Sequence, residues 1–270
     1  MPELPEVETT VRGLRKVLDG RRLTSVTPRR ADLRRAIPED LGQRLTGSTV
    51  TRLSRRAKYG LIETDRGDTL VFHLGMSGRW RIDPVDIGPH DHLLIETGDG
   101  CRLALNDPRR FGSLDLLRTE AVDEWPPFRA LGPEPLGGTI TGGWLKARLA
   151  GRIAAIKLML LDQRIIAGLG NIYVCEALFR ARIDPRKAAG RVSLAKLDLL
   201  AEAIPSVLED AIAAGGSSLR DFAAPDGELG YFSKTFDVYG REGEPCGCGG
   251  LVKRVVQGGR STFYCPACQR

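Results

Sequence analysis

Apolar positions in the first twenty residues recur every three or four places, at Leu4, Val7, Val11, Leu14 and Leu18. That period gathers them on one face of a helix. Pro5 suits its first turn, Glu6 and Glu8 favour the positive N-terminal end, and Gly20 supplies a stop. From Leu23 to Leu117 the pattern shortens to strand-like runs, Thr49–Leu53, Leu61–Thr64, Thr69–Leu74, Arg79–Ile82, His92–Thr97, Arg102–Leu105 and Ser113–Leu117. Turn signals such as Asp65-Arg66-Gly67-Asp68 and Gly98-Asp99-Gly100 separate several of them. Short, regularly punctuated strands predict a β-sandwich or barrel. A Pro/Gly-rich stretch follows, Trp125-Pro126-Pro127 and then Leu131 to Gly138, and reads as a linker. Beyond it the helical period returns in Thr141–Ala150, Arg152–Leu161 and Ile172–Arg180. Ser193 then opens a long amphipathic segment with Leu194, Leu197, Ala201, Ile204, Leu208 and Ile212 on one side, which Pro205 should kink. The last thirty residues have the texture of a hairpin.

Charge narrows the choice of partner. The 270 residues carry 40 Lys+Arg against 34 Asp+Glu, a formal charge of +6, and the basic residues are 32 Arg and only 8 Lys. A planar guanidinium fork suits phosphates and base edges better than a lysine point charge does. With 42% apolar and 27% charged residues, wholesale disorder is excluded. The longest mostly apolar run, Ile153 to Leu161, has Lys157 inside it and is too short to cross a bilayer. The acidic start, Met1 to Glu6, lacks the apolar stretch of a signal peptide. A soluble, cytoplasmic chain is expected.

Four of the six cysteines crowd the C-terminal end. Cys246-Gly247-Cys248 and Cys265-Pro266-Ala267-Cys268 resemble a zinc ribbon, in which two turns each offer two thiolates to one metal. The first pair is one residue shorter than usual, so its turn must differ. Cys101 and Cys175 stand alone and read as small buried hydrophobes. Between the cysteine pairs, Gln257-Gly258-Gly259-Arg260 reads as a hairpin tip, and its arginine as a phosphate contact. Gly168-Leu169-Gly170-Asn171, opening a helix, is a second candidate for anion contact. At the other end of the chain, Pro2 follows Met1. Removal of the methionine would expose a secondary amine, with Glu3 and Glu6 beside it as proton donors or acceptors. Met76, in His73 to Gly78, and Arg109 and Phe111, in Asn106 to Gly112, occupy turns from which such side chains can enter a base stack.

Pro2-Glu3-Leu4-Pro5-Glu6-Val7-Glu8-Thr9, Arg56-Ala57-Lys58-Tyr59, His73–Gly78, Asp107–Gly112, Leu131–Pro135, Gly170-Asn171-Ile172-Tyr173 and the terminal cysteines come in an ordered series. Together they resemble the bacterial formamidopyrimidine-DNA glycosylases over essentially the whole chain. The sister endonuclease VIII enzymes have Gly at the position of Leu4 and lack the Asp-Pro-Arg-Arg-Phe-Gly loop, and rank second. A non-catalytic DNA-damage binding protein would not need Pro2-Glu3 and Lys58. An RNA- or ribosome-associated zinc-ribbon protein would leave the loop residues unexplained.

The resemblance implies an α+β chain with an N-terminal helix and β-sandwich over 1–135. A helix-two-turns-helix domain over 136–240 and a zinc finger over 241–270 would follow. It implies a monomer acting on double-stranded DNA with oxidised bases or abasic sites, near the nucleoid, with one structural zinc on Cys246, Cys248, Cys265 and Cys268. The implied chemistry is base excision by the amine of Pro2 through a Schiff base, followed by β,δ-elimination, with Glu3 as acid/base and Lys58 beside the lesion. Met76, Arg109 and Phe111 would fill the void left by the flipped nucleotide. His73, Asn171, Tyr239 and Arg260 would hold phosphates. Ser217 and Arg220 would read the lesion. The single residue between Cys246 and Cys248 departs from the family's two.

Overall fold

The structure, a computed structural model, describes residues 2–217, 225 and 232–270. The chain divides into two compact units, residues 1–129 with 214–233, and residues 130–213 with 234–270.

The first unit opens with helix α1 (Leu4–Leu18), whose stripe Leu4, Val7, Val11, Leu14 and Leu18 is wholly buried, as its period predicts. Strands β1 (Leu23–Pro28), β2 (Val50–Arg56), β3 (Tyr59–Thr64), β4 (Asp68–His73), β5 (Arg79–Ile82), β6 (Asp91–Thr97), β7 (Arg102–Asn106) and β8 (Ser113–Arg118) follow. They form two four-stranded sheets, ordered β1-β6-β7-β5 and β2-β3-β4-β8. Every pairing is antiparallel. Val26, Leu93, Ile95 and Leu105 of one sheet share a core with Leu53, Ile62, Leu70 and Leu114 of the other and with Val7, Val11, Leu14 and Leu18 of α1. Phe72 meets Trp80 across the sheets edge to face, centroids 5.5 Å apart. Two elements lie outside the predicted runs. Strand β1 holds only two apolar side chains inward, and helix α2 (Leu41–Leu45) spans five residues. In β1 the inward residues Leu23 and Val26 are three apart, across a bulge that breaks the strand alternation, and five residues of α2 are too few to show a helical period. Helix α3 (Pro126–Arg129) caps the unit within the Pro-rich stretch, burying Phe128.

The second unit is helical. Thr141 caps α4 (Gly142–Leu149), its Oγ1 accepting the Trp144 N–H at 3.1 Å. The predicted helix Arg152–Leu161 is reduced to α5 (Ile156–Leu160). The reason is competition for the backbone. Arg152 and Ala154 give their carbonyls to the N–H groups of Gly190 and Ala189, and Ala155 bridges Ala188. Helix α6 (Asn171–Arg180) and helix α7 (Leu194–Ala213) pack on each other, and α4 also packs on α7. Helix α7 runs through Pro205, and its buried stripe is Leu197, Leu200, Ile204, Val207, Leu208 and Ala211. Leu194, predicted on that face, is exposed in the first turn. Strands β9 (Lys253–Gln257) and β10 (Arg260–Tyr264) form the terminal hairpin around the turn Gly258-Gly259, as expected. No helix among the described residues is long and apolar enough to cross a membrane.

One buried charge ties the first unit together. Asp68 accepts hydrogen bonds from Arg44 of α2 and from Arg118 Nη1 of β8, the latter at 2.8 Å. Arg44, then Arg118, hold its carboxyl below the usual aspartate range against the opposing effect of burial. A group depressed in the folded state stabilises fully above its unfolded value, near pH ~4, and loses that contribution as pH falls through the lower folded value. Asp68→Asn should therefore destabilise the protein at pH 7 by about 1–3 kcal/mol. In denaturant titrations, the gap to the parent protein should close toward low pH.

Candidate functional site

The amino end is held by a carboxylate. Pro2 and Glu3 are buried, and Glu3 caps α1. Glu6, 1% exposed, accepts the Glu3 N–H on Oε2 at 2.9 Å. Its Oε1 accepts both the N–H and the hydroxyl of Ser217, each at 2.8 Å. Glu6, read from sequence as a proton donor or acceptor, is thus engaged in holding Glu3 and Ser217 in place. Ser217, a candidate for reading the lesion, is turned toward that carboxylate, while Arg220 lies outside the described residues.

Helix α1 packs on β2 and β3, the hairpin whose turn carries Lys58. Ala57 adopts φ 52° there, a left-handed conformation that costs a non-glycine residue of the order of 1 kcal/mol. Arg55 restrains the turn by donating to the Ala57 carbonyl at 2.9 Å and to Glu8 Oε2 at 3.2 Å. Lys58 is 9% exposed.

Two further turns of this unit carry the candidate stacking side chains. Met76 is 37% and Phe111 43% exposed, among the few large apolar residues left in solvent. The Arg109 guanidinium lies over the Phe111 ring, 4.9 Å from its centroid. His73 ends β4, and burial, then the charges of Lys58, Arg34 and Arg35, push its pKa down to about 4. Its Nδ1 accepts the Gly75 N–H at 3.0 Å. At neutral pH the ring is therefore uncharged with its hydrogen on Nε2, a donor rather than a cation.

In the second unit Asn171, at the start of α6, donates from Nδ2 to the Ser261 carbonyl at 2.9 Å and to the Tyr239 hydroxyl at 3.4 Å. Lys157 donates to the same carbonyl at 3.0 Å and to Thr262 Oγ1 at 2.7 Å. This lysine is wholly buried and fastens the hairpin next to exposed Arg260. The sequence signal was present, a lone cation inside the apolar run, but its partner lies far along the chain. Glu176 is a second such residue, accepting the N–H groups of Asp237, Val238 and Tyr239 at 2.8–3.1 Å. It positions Tyr239, whose ring packs against Phe236 and Phe263.

The four C-terminal thiols converge. Their Sγ atoms all lie within 4.8 Å of one another, with Cys246–Cys268 and Cys248–Cys265 both 3.6 Å apart. A tetrahedral zinc with bonds of ~2.3 Å has sulfur–sulfur edges of ~3.8 Å, so the thiols fit that ion. The short first pair is accommodated by its glycines. Cys246 donates its N–H to the Gly250 carbonyl and accepts that of Gly249, and the Gly250 N–H points at Cys248 Sγ at 3.4 Å. A Cβ on Gly250 would lie 3.1 Å from Cys265 Sγ and 3.4 Å from Cys248 Sγ.

A helix-led sandwich, a helical unit with paired helices joined by turns, and a four-thiolate hairpin make up the architecture of a DNA-repair glycosylase. Profiles described as formamidopyrimidine-DNA glycosylase N-terminal domain, formamidopyrimidine-DNA glycosylase H2TH domain, and zinc finger found in FPG and IleRS match residues 1–114, 131–223 and 243–270. The chain is 68% identical over 270 residues to a formamidopyrimidine-DNA glycosylase of Novosphingobium aromaticivorans, covering all of both. Structures of a Lactococcus lactis FPG mutant with Fapy-dG-containing DNA, and of the Lactococcus lactis Fpg with abasic-site DNA, each superpose at TM-score 0.92 and 35% identity. Each comparison covers both chains fully. This chain belongs to the formamidopyrimidine-DNA glycosylase family. It is a DNA glycosylase with abasic-site lyase activity and one structural zinc.

The crowding at Gly250 makes a prediction. Gly250→Ala should displace a thiolate and speed zinc release to a chromogenic chelator by about tenfold or more, whereas Gly247→Ala, with nothing near its Cβ, should not.

Proposed function

We infer that Pro2, Glu3 and Lys58 perform base excision and strand cleavage on oxidised purines, 8-oxoguanine and formamidopyrimidines, in duplex DNA. The observation that carries this reading is the buried start of α1, where Glu6 fastens Glu3 directly beside Pro2. Once Met1 is removed, the amine of Pro2 stands at the start of α1, and in its unprotonated form it has a lone pair for attack. That pair forms a bond to the sugar C1′ while the glycosidic bond breaks, its electrons leaving with the base. The ring nitrogen passes its own proton to the departing base, and Glu3 delivers a proton to O4′ as the sugar ring opens, giving a Schiff-base iminium that carries no N–H. The iminium acidifies the C2′ hydrogens, and successive eliminations expel the 3′ and then the 5′ phosphate. Lys58 stands beside the lesion and its phosphate.

Reaching C1′ requires the nucleotide to leave the stack, at a cost of a few kcal/mol. Met76, Arg109 and Phe111 offset that cost by filling the void, Arg109 pairing with the orphaned base. Asn171, Tyr239 and Arg260 bind phosphate, with His73 donating as a neutral group. Ser217 and Arg220 read the lesion. On this reading residues 1–135 carry the chemistry, 136–240 grip the duplex and 241–270 present the zinc finger. The enzyme works as a monomer in the cytoplasm, at the nucleoid. The thiolates of Cys246, Cys248, Cys265 and Cys268 hold the zinc, which keeps the Arg260 hairpin in shape.

Borohydride added to the protein and a duplex with one 8-oxoguanine opposite cytosine should trap a covalent complex, with the adduct mass on Pro2. Glu3→Gln should still bind the duplex yet release no base. Trapping on any other residue would refute the assignment. Arg260→Ala should weaken binding to all sequences alike and lower the slope of log affinity against log salt by about 0.9, the release expected for one phosphate contact. A loss confined to lesion-bearing DNA would argue against that contact.

A further inference from the structure

Met76 stands on one turn, Arg109 and Phe111 on another. Side chains that enter one base stack must arrive in register, because a displaced wedge opens a void it does not fill. Asp107, 1% exposed, joins the two turns. Its Oδ1 accepts the Ser77 hydroxyl at 2.7 Å, from the Met76 turn, and its Oδ2 accepts the Gly112 N–H at 2.8 Å, behind Phe111. Ser77 Oγ in turn accepts the Arg109 N–H at 3.3 Å. The Asp107 backbone, just past the end of β7, is anchored at the start of β6. Its N–H donates to the His90 carbonyl at 2.9 Å, and its carbonyl meets His92 Nε2 at 2.9 Å.

The turns also interlock sterically. Gly75 has φ 61°, and a Cβ there would lie 2.3 Å from the Phe111 carbonyl carbon. Only a glycine lets the two backbones approach so closely. The roots of both turns are thus joined by hydrogen bonds and by close backbone contact, while the tips remain exposed.

We propose that Asp107, with Ser77, is a positioning latch that makes Met76, Arg109 and Phe111 one rigid wedge, filling the void of an extruded nucleotide in a single step. This rests on the reading of those three side chains as void fillers. Without the latch the turns move separately, and only the fraction of molecules with all three tips in register can hold a nucleotide out. The rate falls by that fraction wherever extrusion must be driven. A lesion that is already unpaired makes no such demand, and Pro2, Glu3 and Lys58 are untouched.

The test measures single-turnover excision of 8-oxoguanine by the full-length, zinc-loaded enzyme. One duplex pairs the lesion with cytosine, and the other places it in a one-nucleotide bulge. Asp107→Ala should slow the paired substrate by about tenfold or more and leave the bulged one within about threefold. Asp107→Asn should recover most of the loss, since its carbonyl can accept from Gly112 while its amide donates to Ser77. Ser77→Ala, which removes one arm of the latch, should give a smaller loss of the same kind. It keeps the test alive if thermal unfolding or zinc content shows Asp107→Ala misfolded. An equal loss on both substrates, or no loss on the paired one, overturns the latch. If Phe111→Ala itself leaves the paired substrate unaffected, the void-filling reading fails, and the latch with it.

Discussion

A loop that presents reactive side chains leaves backbone N–H groups without strand or helix partners, and each one buried unpaired costs about 1–3 kcal/mol. In this protein buried carboxylates take up those donors. Glu6 accepts the N–H groups of Glu3 and Ser217, Asp107 that of Gly112, and Glu176 those of Asp237, Val238 and Tyr239. A carboxylate has two oxygens and about four acceptor sites, so it can collect donors from separate segments. An amide, with one acceptor oxygen, would hold fewer. Burial raises the Glu176 pKa while its three N–H donors oppose the rise. Each of these carboxylates lies beneath residues assigned to chemistry or DNA, which makes their geometry a property of the core.

The second unit solves the complementary problem of stray carbonyls with a cation. Lys157 and Asn171 both donate to the Ser261 carbonyl, and Lys157 also reaches Thr262. Burying an ammonium is costly unless its donors are satisfied. Here they anchor a two-stranded hairpin that could not be stable alone. The thiolate cluster closes the same hairpin from its other end, with Cys246 and Cys265 buried. The exposed Arg260 therefore projects from a strand held at two points.

The same division between fixed root and free tip recurs in the first unit. Met76 and Phe111 stay in solvent although Asp107 hydrogen-bonds Ser77 and Gly112 at the base of their turns. His73 is neutral because burial and the surrounding cations forbid a further charge, so in the proposed phosphate contact it would supply direction rather than electrostatic attraction. Attraction falls instead to arginines, whose charge survives burial and pH alike.

Local chemistry was readable along the chain. The stripe of α1, most of the sandwich strands, the Gly258-Gly259 hairpin turn and the four thiols all follow from period, turn residues and spacing, since each depends on neighbours a few positions away. The motif series from Pro2 to Cys268 likewise named the family. What only tertiary structure decided is which polar groups pair across the fold. Glu6 looked like a second proton carrier and is a clamp for Ser217. Arg152–Leu161 looked like one helix, yet Arg152 and Ala154 give their carbonyls to Gly190 and Ala189 and the helix begins only at Ile156. Lys157 stood out as a lone cation in an apolar run, but the partners of Asp107, Glu176 and Lys157 could not be read, because a buried charge is defined by groups that periodicity cannot see. The sequence specifies such a pair only through the whole packing that brings it out of water.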